Sequence, residues 1–561
     1  MKRIITLFSL LAILSVQAFS QNPKWFKKAN KAQISIITLD PNGNIIGSGN
    51  GFYIDENGTA LANYDLFKQA VNAKIIGADK KEYEVDVIVG ASSLYDIVKF
   101  RVKTDKKTPF INIAERIGVN HEHVYIMPYP TKERDICLND TLKNVQKFND
   151  EYGYYTLARL LDDQYVNCPV MNEEGEVMGM VQKNAGQTAA SSYAISAAFG
   201  KNLAIKGLSA TDNDLNAIGI RKALPENETE AQTFLFMISS RSDSATYNQY
   251  LNDYAVMFPK SENAYVQRAD FYMAHKNYEA AEADMEKAVS VSDKKDEVYY
   301  SFSKMLYELN LKHDYLPYKD WDMNKALLMA ETAYATNPQP LYIQQEGNIL
   351  YALKEYEKAY DKFFSLRETN MRSANIFLYA AQCKRMTDSD TLAILALQDS
   401  AVACFNKPYP KEAASAILER ANTKLQLGMY REAVIDLNEY EHLMRNEVNA
   451  YFYYRREQAE MQCRMFQQAV DDIDRAIRMQ PSEPLFHAER AVVYYRIGEL
   501  EEAIRSAQKA IELNEQFTDS YRILGICQIE NGQKEEGKAN LKKAADMGDE
   551  TAANILAKEQ E

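Results

Sequence analysis

Apolar residues change their spacing once along this chain. From residue 31 to about 200 they fall in short runs closed by Asn, Gly and Asp. Ala32–Leu39 precedes the turn Asp40–Asn44, and Gly51–Ile54 precedes the turn Asp55–Gly58. Ala73–Ile76, Tyr83–Val89, Ile97–Val102, Val124–Met127 and Glu176–Val181 follow. Runs of this length between turn formers are strand and hairpin signals. Many of them in succession, with little helix between, predict an all-β barrel or sandwich.

From about residue 230 the apolar period becomes 3.6, the period of a helix with one buried face. Leu485–Leu513 divides into a helix over 485–497, a turn holding Gly498, and a helix over 500–513. Ala450–Pro481 and Ser520–Ala545 have the same form, and Ala476, Ala510 and Ala544 recur at intervals of 34. Self-similarity at a fixed period is the signature of stacked helical hairpins. Small residues at the crossing let two helices approach, and an aromatic nearby fills the groove to the next pair. Ala491 and Ala503 with Tyr494 fit these roles, as do Ala421, Tyr430 and Ala433. Gly347, Tyr356 and Ala359, then Ala269, Tyr278 and Ala281, fit them earlier in the chain.

Composition agrees with this division. The 561 residues are enough for about three to five domains. They include 37 Tyr but only 22 Gly and 15 Pro, as expected of long helical stretches packed through amphipathic rings. A formal charge of -14 disfavours a broad basic surface for nucleic acid. Met1–Gln21 reads as an export signal: Lys2 and Arg3 precede an apolar stretch from Ile4 to Val16, and Ala18–Phe19–Ser20 gives a small-x-small cleavage site. The apolar stretch is too short to cross about 30 Å of hydrocarbon, so no integral membrane segment is expected. No Cys follows it to carry a lipid. The expected organisation is a signal peptide over 1–20, an extension over 21–30, the β domain over 31–200, a linker over 201–230, helical repeats over 231–550 and a tail over 551–561. The expected location is periplasmic or secreted, in a Gram-negative bacterium. None of the six Cys forms a C-x-x-C pair, and no cofactor is implied. Cys137 and Cys168 could bridge in an oxidising compartment or remain two buried thiols.

The second half resembles a tetratricopeptide repeat (TPR) array. Ala269, Gly347, Ala421, Ala491 and Gly525 match the first small position of that motif, and Pro259, Pro338 and Pro481 its terminal proline. The match loosens over 297–337 and 372–410, where an insertion such as KHDYLPYKDWD lengthens a loop. The resemblance covers seven to nine units and implies an all-α solenoid, a right-handed superhelix whose concave face takes a protein or an extended peptide. Candidates on that face are Asp270, Met273, Asn348, Tyr351, Asn422, Leu425, Gln458, Met461, Val492 and Tyr495. Apolar and amide side chains dominate the set, which suits a mostly neutral peptide. Some of these residues could instead pack between helices.

The first half resembles trypsin-like serine proteases of the bacterial HtrA type. Gly47–Phe67 (GSGNGFYIDENGTALANYDLF) is similar to their opening strands. LYDIVKFRV over 94–102 is similar to the strand that carries their orienting carboxylate. PVMNEEGEVMGM over 169–180 is similar to the stretch after their nucleophile. The resemblance implies a chymotrypsin-like double β-barrel, and it places the triad. The base position holds Asp65, the orienting position Asp96 and the nucleophile position Val166. Valine carries no nucleophilic atom, and a carboxylate lacks the two-nitrogen relay of imidazole. Asp65 and Asp96 facing one another would repel. The motif's glycines are replaced by Asn167 and Cys168, which are less permissive of the backbone geometry that exposes an oxyanion hole. Cys168 with His121 or His123 would be a displaced nucleophile and base, several ångströms out of place. His121–Glu122–His123 lacks metal-binding helical spacing and a third ligand. Asp65 and Asp96 could equally be a solvated loop carboxylate and an acceptor for backbone amides. The reading is an exported noncatalytic scaffold that pairs a degenerate protease barrel with an interaction array. The alternative is an active endopeptidase with noncanonical residues and an array that recruits substrate.

Overall fold

The computed structural model describes residues 22–130, 136–184, 191–312, 317–387 and 390–558. The export signal expected over 1–20 lies outside them, as do the last three residues of the expected tail. The chain divides into two compact units, Met1–Arg268 and Ala269–Glu561.

The first unit holds two closed six-stranded antiparallel barrels. One is built from β1 (Gln33–Leu39), β2 (Ile45–Tyr53), β3 (Thr59–Ala62), β4 (Asn72–Ile76), β5 (Glu82–Ser92) and β6 (Ile97–Val102), in the order β1-β2-β3-β6-β5-β4. The other uses β7 (His123–Ile126), β8 (Leu138–Phe148), β9 (Tyr152–Leu157), β10 (Pro169–Met171), β11 (Val177–Val181) and β12 (Tyr193–Ser196), in the order β10-β11-β12-β9-β8-β7. Strand β1 shows the cause of closure: Ile34, Ile36 and Thr38 point inward with no exposed surface, while Ser35, Ile37 and Leu39 are partly exposed. The second core gathers Val124, Ile126, Leu142, Tyr155, Val170 and Met178. Strand β8 has no counterpart among the apolar runs above, because polar residues occupy much of LNDTLKNVQKF.

Residues 201–230 are folded against the first barrel. The Ile88 N–H donates to the Arg221 carbonyl and the Ala223 N–H to the Ile88 carbonyl, each at 2.8 Å. Arg221 pairs with Asp86 at 3.2 Å and with Asp253, and lies over the Tyr250 ring. The same segment braces the turn beside β3. The Gln69 N–H donates to Ala217 O, the Gly219 N–H to Ala70 O, and the Tyr64 hydroxyl to Asp214 O.

The second unit is a series of paired helices of TPR type. Pro484–Ile497 pairs with Leu500–Leu513, and Thr518–Glu530 with Lys534–Asp546, within a residue of the boundaries read from the period for the first of these pairs. Ala491 and Ala503 have no exposed surface, as the small-residue crossing requires. In the lengthened loop, Trp321 is buried against Tyr278, Tyr318 and Phe302 and plugs the gap that the looser repeat leaves. Among the described residues no helix is long and apolar enough to cross a membrane.

Candidate functional site

The two barrels meet along a cleft of about 710 Å³. One wall is β1 and β2, through Ser35–Ile37 and Gly47–Asn50; the other is Asp163, Gln164, Val166, Asn167 and Lys183. Asn63, Asp65 and Leu66 close one end. Leu66 lies so near β2 that a Cβ on Gly47 or Gly49 would stand 2.9–3.0 Å from its methyl groups, so the glycines make room for the turn that carries Asp65.

The cleft thus brings together two of the three positions expected for a triad, Asp65 and Val166, and Asp96 lies just behind Asp65. Its Oδ1 accepts the backbone N–H of Asp65 at 2.9 Å. Burial is the main cause that raises the Asp96 carboxyl above its ordinary range. The Asp65 amide opposes that shift, the Asp65 charge adds to it, and Lys183 opposes it. The link between these residues is therefore carboxylate to main chain, not a facing pair of carboxylates. Asp65 is exposed and Val166 half-buried. The ionisable residues that line the cleft are Asp65, Asp163 and Lys183.

The backbone after Asp162 is tightly engaged. The Gln164 N–H meets the Asp162 carboxylate at 3.3 Å, the Tyr165 N–H meets Asp162 O at 3.1 Å and the Val166 N–H meets Asp163 O at 3.2 Å. The Asn167 N–H donates to Val181 O at 2.9 Å and the Cys168 N–H to Tyr165 O at 3.0 Å. Five successive amides thus point at acceptors inside the protein, whereas an oxyanion hole needs amides aimed at the reacting oxygen. Asn167 does take the left-handed backbone conformation, φ 67°. Asn enters this region more readily than most residues. Its Nδ2 donates to Asn63 Oδ1 at 2.7 Å, which ties the second barrel to the first across 104 residues. Sequence reasoning missed this amide pair. The one available signal was the appearance of Asn where the motif has Gly.

Cys168 has no exposed surface and lies in the second barrel core. It does not line the cleft. Cys137 and Cys168 are both buried thiols, so the bridge considered from sequence is not formed. His121 and His123 do not line the cleft either. Glu122 between them is held by Arg116, at 3.0 Å to Oε2, and by the Val119 amide at 2.9 Å. Among the described residues no group of three or more His, Cys, Asp or Glu side chains could hold a metal ion.

On the array, Asp270 is exposed and Met273 buried, while Asn348, Tyr351, Asn422, Leu425, Gln458, Met461, Val492 and Tyr495 are half-buried. Tyr351, Val492 and Tyr495 pack against apolar clusters between helices. Several neutral members are bonded to charged neighbours: Asn422 to Arg455 at 3.0 Å, Gln458 to Glu489 at 3.0 Å and Tyr495 to Glu530 at 2.6 Å. The surface around these residues carries more charge than their own types suggest. Asn422 and Leu425 line a hollow of about 490 Å³ with Arg385, Glu419 and Arg455.

Comparison with known proteins accords with both halves. The trypsin-like peptidase domain family matches residues 49–180, and tetratricopeptide repeat families match residues 262–295 and 484–517. The chain is 24% identical over 96 residues to the small glutamine-rich tetratricopeptide repeat-containing protein 2 of Saccharomyces cerevisiae, which covers 17% of this chain and 28% of that protein. It is 29% identical over 94 residues to a TPR repeat-containing thioredoxin of Arabidopsis thaliana, covering 17% and 25%. The chain thus spans about a quarter of the length of these relatives. It carries a trypsin-like peptidase domain, folded as a double β-barrel, followed by a TPR array.

Proposed function

We propose that this chain is an exported, noncatalytic scaffold whose TPR array binds a protein or an extended peptide and whose peptidase-type barrel has lost its chemistry. The observation that carries this reading is the cleft itself. The nucleophile position is a valine, and the amides from Gln164 to Cys168 are spent on internal hydrogen bonds. Side chain and oxyanion stabilisation are lost together, and the second is usually the largest single contribution to such catalysis. The array supplies the binding surface, with the hollow beside Asn422 and Leu425 as one recess on it. The periplasm or the extracellular space is the proposed location.

The full-length protein, incubated with a fluorophosphonate probe and with unfolded protein substrates, should neither label nor hydrolyse. Val166→Ser should remain inactive, because a restored hydroxyl still lacks a base and free amides. Hydrolysis by the native chain that a serine-directed inhibitor abolishes would establish the alternative, an active endopeptidase with a substrate-recruiting array. For binding, Leu425→Glu should weaken capture of envelope proteins by the full chain while the barrel stays folded.

A further inference from the structure

Most helix crossings of the array follow one rule; Lys295–Leu311, whose eighth residue is Phe302, and Ala450–Gln462 depart from it. The eighth residue is small in the helices that begin at Glu262, Pro340, Ala374, Ala414, Pro484 and Thr518: Ala269, Gly347, Ala381, Ala421, Ala491 and Gly525. In Ala450–Gln462 the eighth residue is Glu457. Its partner position twelve residues on is still small, Ala469, with no exposed surface. A carboxyl therefore occupies a place shaped for a methyl group or a hydrogen, and it is 1% exposed.

Among the described residues no cation is paired with it. Gln458 Nε2 donates to Glu457 Oε2 at 2.7 Å and to Glu489 Oε2 at 3.0 Å, so one amide spans two carboxylates on successive hairpins. Glu457 Oε1 is buried without a hydrogen-bond partner, and so is Oε2 of Glu460, one turn on. The neighbouring charges are mostly of the same sign. Glu460 shares the helix, Asp472 faces it from Phe466–Met479, and Glu489 faces it from Pro484–Ile497. The nearby cations are committed elsewhere. Arg456 is held by Asp472 and Glu441 and stands 3.8 Å from Glu460 Oε1, Arg475 pairs with Glu441 and Asp472, and Arg522 with Asp519 and Asp549 beyond Glu489. Tyr454 stands beside Glu457 and Glu489 and is itself made harder to ionise, by burial and then by their charges.

We propose that Glu457 is a proton-dependent joint between the hairpin 450–479 and the hairpin 484–513: protonated, it lets the two stack closed, and ionised, it places an uncompensated charge in the seam and loosens it. Burial first, and then the charge of Glu489, pushes the Glu457 carboxyl up to about 8 from 4.5. Burial and then Asp472 push Glu460 up to about 8 as well. An acid whose folded value is raised takes up a proton on folding between the two values. The contribution of these groups to stability is therefore greatest below about 4.5, falls as pH rises through that window, and levels above about 8. The looser state would alter the groove where Gln458, Met461 and Val492 stand.

Amide hydrogen exchange of the full chain at about pH 5.5 and about pH 8.5, corrected for intrinsic exchange, tests this. Residues 450–497 should lose about tenfold or more protection at the higher pH relative to 518–546. Glu457→Gln, which imitates the protonated state at one of the two raised acids, should lose clearly less protection than the native chain, Glu460 still ionising in the same window. Glu457→Ala, which restores the type found in most other units, should behave alike and serves if the first variant folds poorly. The same loss in both variants, or no loss in the native chain, would overturn the joint. Carboxyl carbon spectra of labelled Glu give a second reading: one fewer group should titrate above about pH 7 in Glu457→Gln. The absence of any such group in the native chain would also sink the proposal.

Discussion

The barrels and the array bury charge in opposite ways. Among the described barrel residues, Asp140 is the one fully buried ionisable carboxylate, and it serves the main chain by accepting the Thr141 and Arg159 amides. In the array, Asp284, Asp296, Glu346, Asp436, Arg456, Glu457, Glu460 and Asp472 are all buried. Arg456 contacts Asp472 at 2.6 and 2.8 Å and Glu441 at 2.7 Å. Thirty-six residues earlier, Arg420 meets Asp436 at 2.7 and 2.9 Å. Each arginine reaches a carboxylate sixteen residues on, from the first helix of its hairpin to the second. The contrast follows from how each fold is closed. A barrel satisfies its backbone by pairing distant strands around one shared interior, so a charge inside disturbs every strand. A helix satisfies its backbone internally, and each hairpin meets only its neighbours, so an ion pair can be accommodated one interface at a time.

The sharpest way to break this comparison is Arg456→Leu. It strands Asp472 and should cost about 3–5 kcal/mol in urea unfolding of the array. Adding Asp472→Leu should recover most of that loss, because a matched apolar pair can replace a buried ion pair. If the double variant is no better than the single, the network is more than a local pair. In the barrel the corresponding test is apolar: Leu142→Ala, at a side chain with no exposed surface, should cost about 3 kcal/mol with no salt or pH dependence. A smaller effect is expected at a helix crossing. In Gly347→Ala the new Cβ would stand 2.8 Å from the Phe363 ring and should cost about 1–3 kcal/mol by thermal unfolding. The smallest belongs to a barrel rim. Arg116 holds the Glu122 carboxyl below its ordinary range, against burial and with help from the Val119 amide. That stabilisation is present above about pH 4.5 and is lost as pH falls through the lowered value. Arg116 is half exposed, so Glu122→Gln should remove only a few tenths of a kcal/mol near neutral pH and flatten the acid limb.

Much of the architecture was legible without coordinates. The helices over 485–497 and 500–513 follow from apolar spacing and Gly498, because helix boundaries depend on residues a few places apart. Strand β6 was legible for the same reason, as Ile97–Val102 is a continuous apolar-rich run between turns. Strand β8 was not, because it is held by β7 and β9 more than by its own polar sequence. At the cleft, the identities of Asp65, Asp96 and Val166 were plain, but their relation was not. Expecting two repelling carboxylates assumed that both side chains point at each other, whereas Asp96 turns to the Asp65 amide.

The sequence alone determined the division into strand and helix periods, the 34-residue spacing of the hairpins and the residue types at the positions expected for a triad. All of these are properties of single residues or of neighbours along the chain. Tertiary packing was needed to learn that the Gln164–Cys168 amides are consumed internally, that Asn167 reaches Asn63, that Arg456 is surrounded by acids and that Glu457 has no cation partner among the described residues. Each of these depends on which distant groups share a small volume, and there burial multiplies the cost of an unpaired charge and the value of a hydrogen bond.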